Sequence, residues 1–362
     1  MRDDRGFLDA LVGDGRPLLI LSAIFLIACG GFAIFQASTM RLLPHDTAYL
    51  GMSADQLCRY QGCRILHFMI HDRISFGGVL VAIGTVYLWL TMCPLRRHES
   101  WAWSALAASG TAGFVSFLAY LGYGYFDTWH GAATLALMVA FIGGLVRTRR
   151  LCRQRVRSIP VDLRSGLSVG RSLLLLSSVG IGVAGLTIVT VGMTLVFVPQ
   201  DLEFMGMTRG AIASINPHLV PLIAHDRAGF GGALASFAVA MFASVRYGRP
   251  SGPLWRALGT AGIAGFGTAV GVHPAIGYLS VMHLGPAVAG CATFVTGLAL
   301  AALGSRAQAR DVPRQARRFA MRRRASSRSA LGPDMGQHHS PRCARCIVFG
   351  GEGVTENGLH AQ

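Results

Sequence analysis

The chain contains no lysine, and only 14% of its residues carry a charge, against about 25% in ordinary globular proteins. All 33 basic residues are therefore arginine, a coding bias on which no chemical argument rests. Acidic residues are scarcer, 17 in 362, which leaves a formal charge of +16. Glycine is abundant at 46 residues but lacks the strict period that collagen needs. Apolar residues make up 52% and arrive in blocks of about 20, long enough to cross a bilayer. That excludes a soluble single-domain enzyme. The positive charge sits in short segments between these blocks, where membrane orientation accounts for it, so nucleic acid is not expected as a partner.

Eight apolar blocks fall at roughly 17–38, 71–94, 101–123, 127–146, 172–198, 225–245, 255–273 and 277–303. In lipid they must be helices, because the backbone finds no water to bond. The fold class is thus an all-α integral membrane protein with eight transmembrane helices. The first block is too long, and too poorly furnished with a cleavage site, for a simple signal peptide. Arginine sets the orientation. Segment 147–171 holds eight arginines and one acid, Asp162, and the tail after 303 holds eleven arginines. The alternate connectors 39–70 and 199–224 hold only Arg41, Arg59, Arg64 and Arg209. By the positive-inside rule both termini are cytoplasmic and these two long loops face outside a cell (bacterial inner) membrane. The tail, 305–362, is expected to be disordered and basic, lying near anionic membrane lipid. Its Cys343 and Cys346, with His338 and His339, lack a second knuckle to close a zinc site.

The chain repeats itself. His71-Asp72-Arg73-Ile74-Ser75-Phe76-Gly77-Gly78 returns 154 residues later as His225-Asp226-Arg227-Ala228-Gly229-Phe230-Gly231-Gly232. Pro44-His45-Asp46 returns as Pro199-Gln200-Asp201, Gly113-Phe114 as Gly265-Phe266, and His130 near His283. Each unit holds an even number of spans, so the repeats run parallel. Two four-helix bundles side by side are expected, residues 1–150 and 151–304.

Ionisable residues inside spans are functional hypotheses by default. His71, His130, His225 and His283 are duplicated in register and fall in the outer half of the bilayer. If Asn216-Pro217 opens the sixth span, His225 lies eight residues in, roughly 12 Å. Two imidazoles at one level of a bundle can ligate haem. Another metal or catalytic role, or hydrogen bonding between helices, also accommodates them. Arg73 and Arg227 suit a haem propionate, while Asp72 and Asp226 suit imidazole orientation or proton transfer from a quinol. An Asp–Arg salt bridge fixing the bundle is the alternative for these four. Phe-Gly-Gly after each Arg offers a close-packing surface. His45, His67 and His273 fall outside the duplicated set, His273 before Pro274 at a loop. Cys58 and Cys63 lie in the first outer loop, where a disulfide is allowed. Asp46 and Asp201 belong to loops read as lids over the bundles.

These features together resemble haem A synthase, a family with eight spans in two tandem four-helix halves, a histidine pair in each half and a cysteine pair in the first outer loop. The matching positions, over roughly residues 17–303, are His71 with His130, His225 with His283, and Cys58 with Cys63. The family carries a Glu three residues before the first His, followed by His-Arg. Here that position is Phe68, and Asp72 stands before Arg73. The resemblance therefore implies a bis-histidine haem scaffold passing electrons between quinol or quinone and a redox partner, without haem A synthesis itself. Competing readings are a non-haem membrane enzyme acting on lipid or isoprenoid substrates, with Asp72 and Asp226 as acid–base residues, and a transporter or assembly factor in which the His-Asp-Arg groups are interhelical locks.

Overall fold

The computed structural model describes residues 12–119, 125, 128–152 and 165–329, with backbone alone for 117–119, 309 and 311–329. Among the described residues there are helices and no strand. In chain order they are α1 (Arg16–Ser38), α2 (Pro44–Leu50), α3 (Ala54–Leu57), α4 (Arg64–Met92), α5 (Ser100–Ala119), α6 (Thr128–Thr148), α7 (Gly166–Met193), α8 (Pro199–Met205), α9 (Arg209–Ile215), α10 (Leu219–Tyr247), α11 (Gly252–Ile276) and α12 (Val281–Ser329). Met1–Ala309 form one compact unit and Arg310–Gln362 a second. The boundary expected near residue 150 falls inside the first unit, which is the one described below.

Among the described residues six helices are long and apolar enough to cross a membrane: α1, α4, α6, α7, α10 and α12. The sequence blocks predict eight. Of the two that differ, α11 has 25 residues whose apolar character Gly, Ala and Thr dilute, and α5 follows the 101–123 block only as far as Ala119 among the described residues. Burial sorts the six. In α4 and α10, 61% and 67% of the most apolar stretch is buried, against 17–22% in the other four. The two helices that carry His-Asp-Arg therefore form the middle of the assembly, where charge is shielded from lipid.

The repeated glycines explain how neighbours reach this pair. A Cβ on Gly77 of α4 would run into the backbone of Gly30 on α1, and one on Gly231 of α10 into Gly185 on α7. The next glycine in each motif faces elsewhere. Gly78 abuts Ala264 and Thr268 of α11, and Gly232 abuts Ser116 of α5. Small residues let helices approach this closely. The result corrects the expectation of two side-by-side bundles. α4 packs extensively on α11, and α10 on α5, while α4 and α5 meet only sparsely. The first four long helices and the last four are interlocked.

The two long connectors fold into short helices capping one end. Pro44 and Pro199 open α2 and α8 at the first helical position, where a missing N–H costs nothing. Ser53 and Gln56 form a capping box on α3. Cys58 and Cys63 are joined by a disulfide between α3 and α4. At the chain's other extreme, α12 runs on to Ser329, where disorder was expected from about 305. Its Arg, Ala and Gln residues are good helix formers. Cys343, Cys346, His338 and His339 lie outside the described residues.

Candidate functional site

Under the capped end, α4 and α10 present His-Asp-Arg to each other. His71 is seven residues into α4, roughly 10 Å, and His225 six residues into α10, roughly 9 Å. α10 begins at Leu219, a little later than Asn216-Pro217 suggests, because Asn216 turns to the α2 segment. Its Nδ2 donates to the Leu50 carbonyl at 2.7 Å, and its Oδ1 accepts from the His218 N–H.

The arginines form a reciprocal clamp. Arg73 of α4 donates through Nε to Asp226 of α10 at 2.8 Å and through Nη1 to Asp46 of α2 at 2.6 Å. Arg227 of α10 donates through Nε to Asp72 of α4 at 3.3 Å and lies 2.7 Å, through Nη2, from Asp201 of α8. Each guanidinium thus ties the opposite central helix to the lid preceding its own helix. Tyr125 and Tyr278 donate to the remaining oxygens of Asp46 and Asp201, both at 2.8 Å. The lid acids are 1% and 0% exposed, so they are part of the site and not a cover over it. Burial opposes ionisation of Asp46, but the Arg73 charge and hydrogen bond, with the Tyr125 hydroxyl, outweigh it and hold its pKa below the usual carboxylate value. Arg227 also donates to the Val196 carbonyl at 2.9 Å and stands over the Phe68 ring, 4.7 Å from its centroid. Val196 is in the left-handed region, φ 67°, which is strained for a β-branched residue. Nε, Nη1 and Nη2 of Arg227 thus each bond to the chain, joining α10 to α4, α8 and the Val196 carbonyl.

The histidines gather in two sets, and the pairing crosses. The sequence resemblance pairs His71 with His130 and His225 with His283. In the fold, His71 meets His283 at 5.4 Å between ring centroids, and His225 meets His130 at 5.7 Å with the planes 9° apart. The crossing follows from α4 packing on α11 and α10 on α5. Each set recruits a histidine that the repeat leaves out. His273, 3% exposed, is 4.5 Å from His71 and 5.3 Å from His283. His45 is 5.2 Å from His130. His273 belongs to α11, which continues through Pro274, so the loop expected there is helix. Tyr125 and Tyr278 were also missed. The signal was present as Gly-Tyr-x4-His, in Gly124-Tyr125 before His130 and Gly277-Tyr278 before His283.

The two sets differ in their surroundings. His71, His273, His283 and Tyr278 crowd together, with Tyr278 stacked 4.4 Å from His283. His130 and His225 instead line a cavity of about 690 Å³ between α1, α4, α5, α6 and α10. Its wall is mostly apolar, with Phe25, Phe32, Phe76, Phe114 and Trp129 among the lining residues, and His45, Arg73 and Asp226 polar. Volumes of about 300–1,000 Å³ with a few polar groups are typical of cofactor sites. The His130 and His225 rings stand 5.7 Å apart between centroids, with their planes 9° apart.

No family model matches the chain, and no curated protein or solved structure matches it.

Proposed function

We propose that this is an eight-span membrane protein of two tandem, parallel four-helix units that binds one haem in the cavity beside His130 and His225 and acts in electron transfer or oxidoreduction. The observation that carries the reading is a largely apolar cavity of about 690 Å³ with two nearly parallel imidazoles in its wall. Haem supplies one-electron redox chemistry when bound. His130 and His225 would hold it. Arg73 lines the same cavity and spends two of its five N–H donors on Asp46 and Asp226, which leaves donors suited to a propionate. Asp226 stands beside them as a proton acceptor from a quinol. The matching Asp–Tyr and Arg–Asp contacts at the two lids support the duplication. Arginine placement supports cytoplasmic termini and a haem near the outer face, with quinol or quinone as the membrane donor or acceptor.

A second reading has a specific observation behind it. Phe32 and Trp129 line the cavity yet are 55% and 76% exposed, so its mouth opens on the lipid-facing surface. That arrangement suits an isoprenoid or lipid substrate entering sideways, with Asp226 and the histidines as acid–base groups.

The test is haem content. Protein purified in mild detergent from haem-sufficient cells is expected to carry about one haem per chain, lost in a folded His225→Gln variant. A folded, colourless wild-type protein would sink the haem reading and leave the isoprenoid one.

A further inference from the structure

We propose that His71, His273 and His283 form a binding site for a divalent transition-metal cation. The proposal does not rest on the haem reading, because the two histidine sets share no residue.

One ring nitrogen from each of the three lies within 4.8 Å of the other two. Tetrahedral zinc, with N–metal bonds of about 2.0–2.1 Å, needs nitrogens about 3.3 Å apart, a closure that small ring rotations supply. The hydrogen bonds set the tautomers. His71 donates Nδ1–H to Asp72 at 3.0 Å, and His273 donates Nδ1–H to the Ala269 carbonyl at 2.7 Å. Nδ1 of His283 faces Asp201 at 3.7 Å. All three rings thus turn Nδ1 toward an oxygen, which leaves Nε2 as the lone-pair nitrogen. This is the outer-shell arrangement that orients metal-bound histidines. Nε2 of His273 is fully buried and has no hydrogen-bond partner. A buried polar atom without a partner is costly, and a cation bonded to it removes that cost.

Charge and ligand type narrow the occupant. Asp72 and Asp201 contribute two negative charges against the single positive charge of Arg227, so the cluster has the sign a cation needs. Three imidazoles favour Zn²⁺, Cu²⁺, Ni²⁺ or Fe²⁺ over Mg²⁺ or Ca²⁺, which take oxygen ligands. Three protein ligands leave one tetrahedral position for water or substrate.

The probes are Zn²⁺ and Co²⁺ alone, added to the chelator-treated full-length protein in detergent. One Zn²⁺ per chain is expected, with a rise in unfolding temperature. The Co²⁺ spectrum should show nitrogen ligation without a thiolate charge-transfer band, which separates this site from the cysteines of the tail. His273→Gln and His283→Gln should abolish stoichiometric binding, His130→Gln should not, and Asp72→Asn should weaken it about 10- to 100-fold. His273→Cys keeps a ligand and should add a thiolate band to the Co²⁺ spectrum, so a positive signal remains if the other variants fold poorly. No saturable binding by the wild-type protein, binding that survives both Gln variants, or a folded His273→Cys protein without the new band would each overturn the proposal.

Discussion

At the scale of single residues, the clamp of Arg73, Arg227 and four carboxylates sets the energetics. Removing one partner of a buried ion pair leaves an uncompensated charge and costs about 3–5 kcal/mol. Arg227→Met is therefore expected to lower the unfolding temperature in detergent sharply, and Arg227→Met with Asp72→Asn to cost less than the two single changes summed, because the residues are in contact. Tyr125→Phe removes one hydrogen bond to a carboxylate, worth about 1.5–3 kcal/mol. Asp46 gives the pH dependence. Its pKa is depressed in the fold, so its contribution is complete above the unfolded value of about 3.9 and is lost as pH falls through the lower folded value. Wild-type stability should drop on acidification below about pH 4, and an Asp46→Asn variant, already weaker at neutral pH, should drop less in unfolding scans across that range. His71, Asp72, Arg73 and their counterparts were legible because they repeat. His273 was not, because it has no counterpart and precedes a proline that the helix absorbs. The sequence also does not say which Asp an Arg meets, since both candidates lie far away along the chain.

At the scale of elements, the motif glycines do the positioning. Gly231 faces the backbone of Gly185 and Val189 on α7, with no room for a side chain. Gly180, on the same α7, has nothing within 4 Å of an added Cβ. Gly231→Val should thus abolish folded protein in a detergent gel-filtration profile, while Gly180→Ala should leave the profile unchanged. The apolar blocks made most long helices legible. α5 and α11 are the weak cases, and their small residues are what allow them to sit against α10 and α4. Small residues at these contacts make both helices good packing partners. The reading of Phe-Gly-Gly as a packing surface is what the contacts show, but the division of labour between the two glycines is visible only in three dimensions.

At the scale of the whole molecule, the crossing of the two sets of four long helices has consequences. Interlocked α4–α11 and α10–α5 contacts mean that neither set buries its central helix alone. Co-expressed fragments split between residues 152 and 165 are expected to co-purify, and each expressed alone to be degraded or aggregated; two independently folded fragments would contradict the crossing. The repeat in the sequence suggests two units and is silent on whether they exchange partners. The crossing also decides which histidines share a site. It leaves one set against an apolar cavity of about 690 Å³ and the other with one ring nitrogen from each of three histidines within 4.8 Å of the other two, so matching positions of the two motifs stand in different surroundings.

That asymmetry makes the central claim testable in a single comparison, the reduced-minus-oxidised absorption spectrum of purified wild-type, His225→Gln and His71→Gln proteins. The account predicts a haem spectrum in the wild type, its loss in folded His225→Gln, and its retention in folded His71→Gln. A colourless wild-type protein, or a spectrum lost with His71 and kept without His225, would contradict it.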